Sequence, residues 1–126
     1  MGELRGFPAT PGTSRIWRIE PGTKRAHCGE SKACRVFADG FTSIVDLDAA
    51  RDSSLHVVEF DEASWFAVET GQATKGSIDA CNLATGRCSR VTRLVMPSAV
   101  ASTRTRTFAT VMSLVPGQAD VVRIGG

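Results

Sequence analysis

One short pattern occurs twice in this chain, as Gly12-Thr13-Ser14-Arg15-Ile16-Trp17-Arg18-Ile19 and as Gly117-Gln118-Ala119-Asp120-Val121-Val122-Arg123-Ile124. Each copy follows a proline, Pro11 or Pro116, so a Pro-Gly turn leads into a short β-like run ending in Arg-Ile. A weaker third copy, Gly76-Ser77-Ile78-Asp79-Ala80-Cys81, lies between them. Self-similarity at a spacing of tens of residues marks a repeat architecture, whose units cannot bury their apolar faces alone and must stack on neighbours.

The rest of the chain supports strands as the repeating element. No stretch keeps apolar residues at i, i+3, i+4 and i+7 over three turns, whereas short β-rich runs recur between turn clusters. Strands are expected over residues 15–20, 33–38, 43–47 and 54–60, then, after a polar segment at 61–75, over 76–82, 87–95, 97–102 and 106–115. The two quartets align, Arg35-Val36 on Arg90-Val91 and Thr42-Ser43-Ile44-Val45 on Pro97-Ser98-Ala99-Val100. Four antiparallel strands joined by tight turns have the size of a propeller blade. The predicted fold is therefore all-β: an unstructured segment at 1–11, a blade at 12–60, a loop at 61–75, a blade at 76–115 and a closing strand at 117–125. This is an incomplete β-propeller of the six-bladed type. Two and a fraction blades cannot close a ring, so self-association or further N-terminal blades are expected to cover the open edges.

Composition narrows the function classes. A chain of 126 residues holds one modest domain, and a formal charge of +2 gives no ground for a nucleic-acid partner. Arg87, Arg90, Arg93, Arg104 and Arg106 bunch together and read as a solvated strand face. No apolar run approaches the about 18 residues that a membrane-spanning helix needs. Residues 1–8 contain no apolar leader core, so for an exported protein the signal is expected to lie outside this sequence.

Four cysteines fall in two close pairs, Cys28/Cys34 and Cys81/Cys88, each bracketing a turn-like stretch. Facing positions on paired strands lie about 4.5–5.5 Å apart at Cα, a separation that suits a disulfide. The repeated placement favours local pairing among three connectivities. Zinc with His27 as an extra ligand and free buried thiols are the rival readings; the cysteine spacings do not fit the usual zinc pattern. Persistent disulfides would place the protein in an extracellular or periplasmic setting.

Nucleophile elbows, phosphate loops and metalloprotease helices are missing from the sequence. His56 sits mid-strand and reads as a half-buried structural histidine. Asp46 and Asp48 share a strand face by the two-residue period, and with Glu59, Asp61 and Glu62 they read as solvated turn acids. No catalytic residue, metal ligand or cofactor is assigned. Loops on a rigid sheet are where binding groups concentrate. The loops at 39–42, 61–75 and 94–98 would share one face of a propeller, so Asp39, Thr42, Asp61, Glu62, Trp65 and Phe66 are the candidate ligand-binding residues. The competing role for Trp65 and Phe66 is a hydrophobic plug between blades.

A family resemblance follows from these residues. Ser14-Arg15-Ile16-Trp17-Arg18-Ile19, the run from Ala38 through Leu47, and Ser54-Leu55-His56-Val57-Val58-Glu59-Phe60 resemble the ScyD/ScyE family of bacterial propeller proteins. Residues 76–91 with Met96-Pro97 resemble that family's next blade, and residues 120–124 its closing strand. The family's usual Asp-Gly-Ser-Leu-Tyr-Val reads Asp52-Ser53-Ser54-Leu55-His56-Val57 here, without the turn glycine and the tyrosine. The resemblance implies an exported NHL- or SMP-30-like β-propeller and carries over no catalytic residue. The expected function is a non-catalytic, exported binding or scaffold module for a small molecule or protein. The alternative is an SMP-30-like metal-dependent hydrolase or lactonase, which needs inward Glu, Asn and Asp ligands; Asn82 is the single asparagine.

Overall fold

The computed structural model describes residues 1–5, 10–64, 67, 69–72 and 75–125. The strands are β1 (Ser14–Ile19), β2 (Cys34–Phe41), β3 (Ile44–Ala49), β4 (Ser54–Glu59), β5 (Gly76–Asn82), β6 (Cys88–Leu94), β7 (Val100–Ser102), β8 (Thr107–Val111) and β9 (Asp120–Ile124). The fold is all-β and its strand pairs are antiparallel, as the sequence predicts. Every expected run overlaps a strand, and β5 has the bounds predicted for it.

The strands form three sheets, β1-β2, β3-β4-β5-β6 and β7-β8-β9, and among the described residues none closes on itself. This grouping differs from the expected quartets. β4 pairs with β5, from Ser54↔Asn82 to Glu59↔Ser77, so the middle sheet draws two strands from each quartet. Residues 1–5, expected to be unstructured, also join a sheet: Gly2 bridges Ile16, and the Glu3 N–H donates to the Arg15 carbonyl at 2.8 Å. The reason lies in the phase of the repeat. β1, β5 and β9, which carry the three copies of the glycine pattern, each pair with the chain segment preceding them. In the four-stranded sheet the pattern therefore marks the third strand, β5, and not the first.

The pattern glycines meet two different backbone demands. Gly12 and Gly117 both adopt φ +74° in their Pro-Gly turns, a conformation that side-chain-bearing residues rarely take. Gly76 sits where β5 crosses the end of β4; an added Cβ would lie 2.1 Å from the Glu59 carbonyl oxygen.

The middle sheet is covered on both faces. Val57, Ile44 and Cys81 pack with Ile16, Ala38 and Phe41 of β1 and β2. Val58 and Ile78 pack with Val100, Ala109 and Ile124 of the third sheet. Val57 and Val58 are neighbours in β4, both fully buried, and strand alternation sends them into opposite cores. Burying each contributes about 1.5–3 kcal/mol. Sheet modules thus stack in chain order, each using its neighbour to hide an apolar face.

All four cysteines are oxidised, Cys28–Cys34 with Cα atoms 5.2 Å apart and Cys81–Cys88 with Cα atoms 3.9 Å apart. Cys81 and Cys88 face each other directly in the β5–β6 ladder. Local pairing is the observed connectivity, which displaces the zinc and free-thiol readings. The bonds are compatible with an extracellular location. Among the described residues no helix is long and apolar enough to cross a membrane.

Candidate functional site

Charged groups concentrate where β4 ends and the 61–75 segment begins. Glu59, the last residue of β4, is buried; its carboxylate accepts the Thr42 N–H and, at 3.3 Å, the Ser43 N–H. A single side chain thereby fixes the two-residue link between β2 and β3. Ser43 completes the joint: its hydroxyl donates to the Asp61 carbonyl at 2.6 Å and accepts the Asp61 N–H at 2.9 Å. The Asp61 carboxylate accepts the Ala63 N–H at 2.8 Å and the Ser64 N–H at 3.3 Å, shaping the start of the following segment.

The next residue turns outward. Glu62 meets the Arg90 guanidinium at 2.7 Å and that of Arg93 at 3.3 Å, both on the edge strand β6. Asp79 of β5 lies opposite Arg90 in the ladder, is buried, and accepts the Ser77 hydroxyl at 3.2 Å. Alternation places Ser77 and Asp79 on one face of β5, beside Glu59 through the Glu59↔Ser77 pair. A cavity of about 370 Å³ opens beside this cluster and is lined by Glu62, Ala63, Lys75 and Arg93.

Burial sets the electrostatics. Desolvation raises the carboxyl of Glu59 above its ordinary range against the lowering pull of the Thr42 and Ser43 N–H groups. Asp79 is raised for the same reason, opposed by the Ser77 hydroxyl and by the charge of Arg90. The cluster combines fixed cations, a paired carboxylate and two buried acids, an arrangement able to hold a polar ligand by charge and hydrogen bonds.

The structure brings Thr42, Asp61 and Glu62 to this end of the middle sheet. Asp39 is exposed on β2 and is not among the groups that meet there. Trp65 and Phe66 lie outside the described residues. Asp61 and Glu59 are buried hydrogen-bond acceptors, not solvated turn acids. Asp46 and Asp48 do share a face, as the strand period requires, but they too are engaged, accepting the Val100 N–H at 2.9 Å and the Ser102 N–H at 2.7 Å. His56 is buried and its Nδ1 lies 2.9 Å from the Ser102 hydroxyl. Sequence reading passed over Asp79, whose signal was a carboxylate on the apolar-facing side of a predicted strand. It also left Arg90 and Arg93 without a partner, because Glu62 is remote from both in sequence. All five bunched arginines are exposed, as a solvated face requires.

Among the described residues no three His, Cys, Asp or Glu side chains are arranged to hold a metal ion. Compared with protein-family models, curated proteins and solved structures, the chain matches none.

Proposed function

We propose that this chain is a non-catalytic, exported binding or scaffold module of β-propeller type, in line with its resemblance to the ScyD/ScyE family. The observation that carries the reading is the serial stacking of the sheets. β3 and β7, the first strands of successive sheets, lie side by side and are joined by Asp46 and Asp48 to the N–H groups of Val100 and Ser102. A rigid stack of this kind presents its connecting loops at two ends, where binding groups are held without ordering cost. The paired disulfides support export.

The non-catalytic part rests on how the acids are used. Glu59 and Asp61 hold backbone N–H groups, and Glu62 holds two arginines. Asn82, which a metal-dependent hydrolase reading would need as a ligand, accepts the Ala84 and Thr85 N–H groups of its own turn at 2.9 and 3.1 Å. Calcium and zinc titrations followed by thermal unfolding test the reading, because a cation that binds only the folded state must raise its stability. The expected result is an unchanged midpoint for both ions. A rise in midpoint accompanied by cation-dependent lactone hydrolysis would establish the enzyme instead.

A further inference from the structure

We infer that the groove between the β3–β4 and β7–β8 hairpins is a binding site for a small ligand bearing a phosphoryl or sulfuryl group. This groove lies at the opposite end of the sheets from the Glu59 cluster, so the inference goes beyond the reading above. It encloses about 220 Å³, and Arg51 of one hairpin and Arg104 and Arg106 of the other line it together with His56, Ser102 and Thr107.

Several other arginines of the chain are engaged. Arg90 and Arg93 hold Glu62, Arg15 is 3.8 Å from Glu3, and Arg18 donates to the Leu83 carbonyl and lies over the Phe37 ring. Arg51, Arg104 and Arg106 make no ion pair with a described residue, and all three are exposed. Three unpaired guanidinium groups around one groove repel one another, and an oxyanion between them relieves that repulsion. Among the described residues the one carboxylate in the lining is that of Asp52, whose Oδ1 accepts the Ser54 N–H at 3.1 Å and the Ser54 hydroxyl.

The groove is also built in advance. In the second hairpin the Thr103 hydroxyl accepts the Arg106 N–H at 3.0 Å, and the Thr103 N–H donates to the Arg106 carbonyl at 2.7 Å. This locks the turn that carries both arginines. His56, a buried residue of the lining, is fixed by the contact of its Nδ1 with the Ser102 hydroxyl at 2.9 Å. Planar guanidinium forks arriving from two hairpins match the several oxygens of a tetrahedral oxyanion better than the two of a carboxylate.

The test is a titration of the ¹⁵N-labelled full chain with inorganic phosphate and, separately, with inorganic sulfate, followed by amide NMR against chloride at matched ionic strength. Saturable shifts at Arg51 and at residues 102–106 are expected with at least one oxyanion, and the one that binds tells phosphoryl from sulfuryl ligands. The R104Q/R106Q double variant removes exposed side chains only and is expected to fold unchanged while weakening binding at least about tenfold. R87Q, outside the groove lining, is expected to bind as the parent does. Shifts that chloride reproduces, or an affinity unaltered in R104Q/R106Q, would overturn the site and leave the module reading of the preceding section untouched.

Discussion

The carboxylate of Asp48 accepts the backbone N–H of Ser102 at 2.7 Å, tying the first strand of one sheet to the first strand of the next. Asp46 does the same for Val100 at 2.9 Å, two residues earlier on both strands. β7 is an edge strand, and these acids satisfy amide groups that an unpaired edge would leave open. Replacing either aspartate by alanine is expected to cost about 1–2 kcal/mol, the loss of a charge-assisted bond with its donor left behind. Urea unfolding measures the cost, and faster hydrogen exchange at Val100 in D46A and at Ser102 in D48A localises it.

Glu59 gives a pH dependence with a defined sign. Its carboxyl is raised in the folded state by burial, so between its ordinary value and the raised one the folded chain binds more protons than the unfolded chain. Its contribution to stability is fully present below the unfolded value and is lost as pH rises through the folded one. Asp79 acts in the same direction. E59Q keeps an acceptor for Thr42 and Ser43 without the charge, so relative to the parent it is expected to gain stability as pH rises from the ordinary glutamate value through the raised one. E59A leaves both N–H groups unpaired and is expected to lose about 2 kcal/mol at neutral pH. Denaturation midpoints across that range check both; a parent-minus-E59Q difference that stays constant would refute the linkage.

Each disulfide closes a short loop, six residues apart for Cys28–Cys34 and seven for Cys81–Cys88. Chain entropy alone assigns about 2.5 kcal/mol to each. C28A/C34A and C81A/C88A are each expected to lower stability by that order, with the second pair costing more because the Cys81 sulfur is also part of the core. Alkylation under denaturing conditions is expected to label four thiols only after reduction.

Gly76→Ala is expected to destabilise by about 2–4 kcal/mol, since its methyl group would meet the carbonyls of Glu59 and Phe60 at 2.1 and 2.4 Å. The obstacle is backbone, which cannot swing aside as a side chain would. Thermal unfolding of G76A against the parent measures the effect, and Gly71→Ala, where no atom of a described residue beyond the chain neighbours lies within 4 Å but φ is +73°, is expected to cost less.

Strand positions were legible because alternation and turn chemistry are local: residues 54–60, after the Asp52-Ser53 turn, read as a strand, and β4 occupies Ser54–Glu59. The disulfides were legible for the same reason, each pair bracketing one short turn-like stretch, although only Cys81 and Cys88 face each other on paired strands. The candidate site was legible only in its near neighbours. Asp61 and Glu62 sit next to β4, but their partners Ser43, Arg90 and Arg93 come from other strands, and no local pattern joins them.

By itself the sequence determined an all-β chain and favoured two local cross-links, because strand period, turn residues and cysteine spacing all act over a few neighbouring positions. Only the tertiary structure decided that β4 joins β5, that Glu59 is buried against the β2–β3 link, and that Arg51 meets Arg104 and Arg106 across one groove. A repeat has no intrinsic starting point, and where one sheet ends is settled by which edges pair and which apolar faces find cover once all the strands are present.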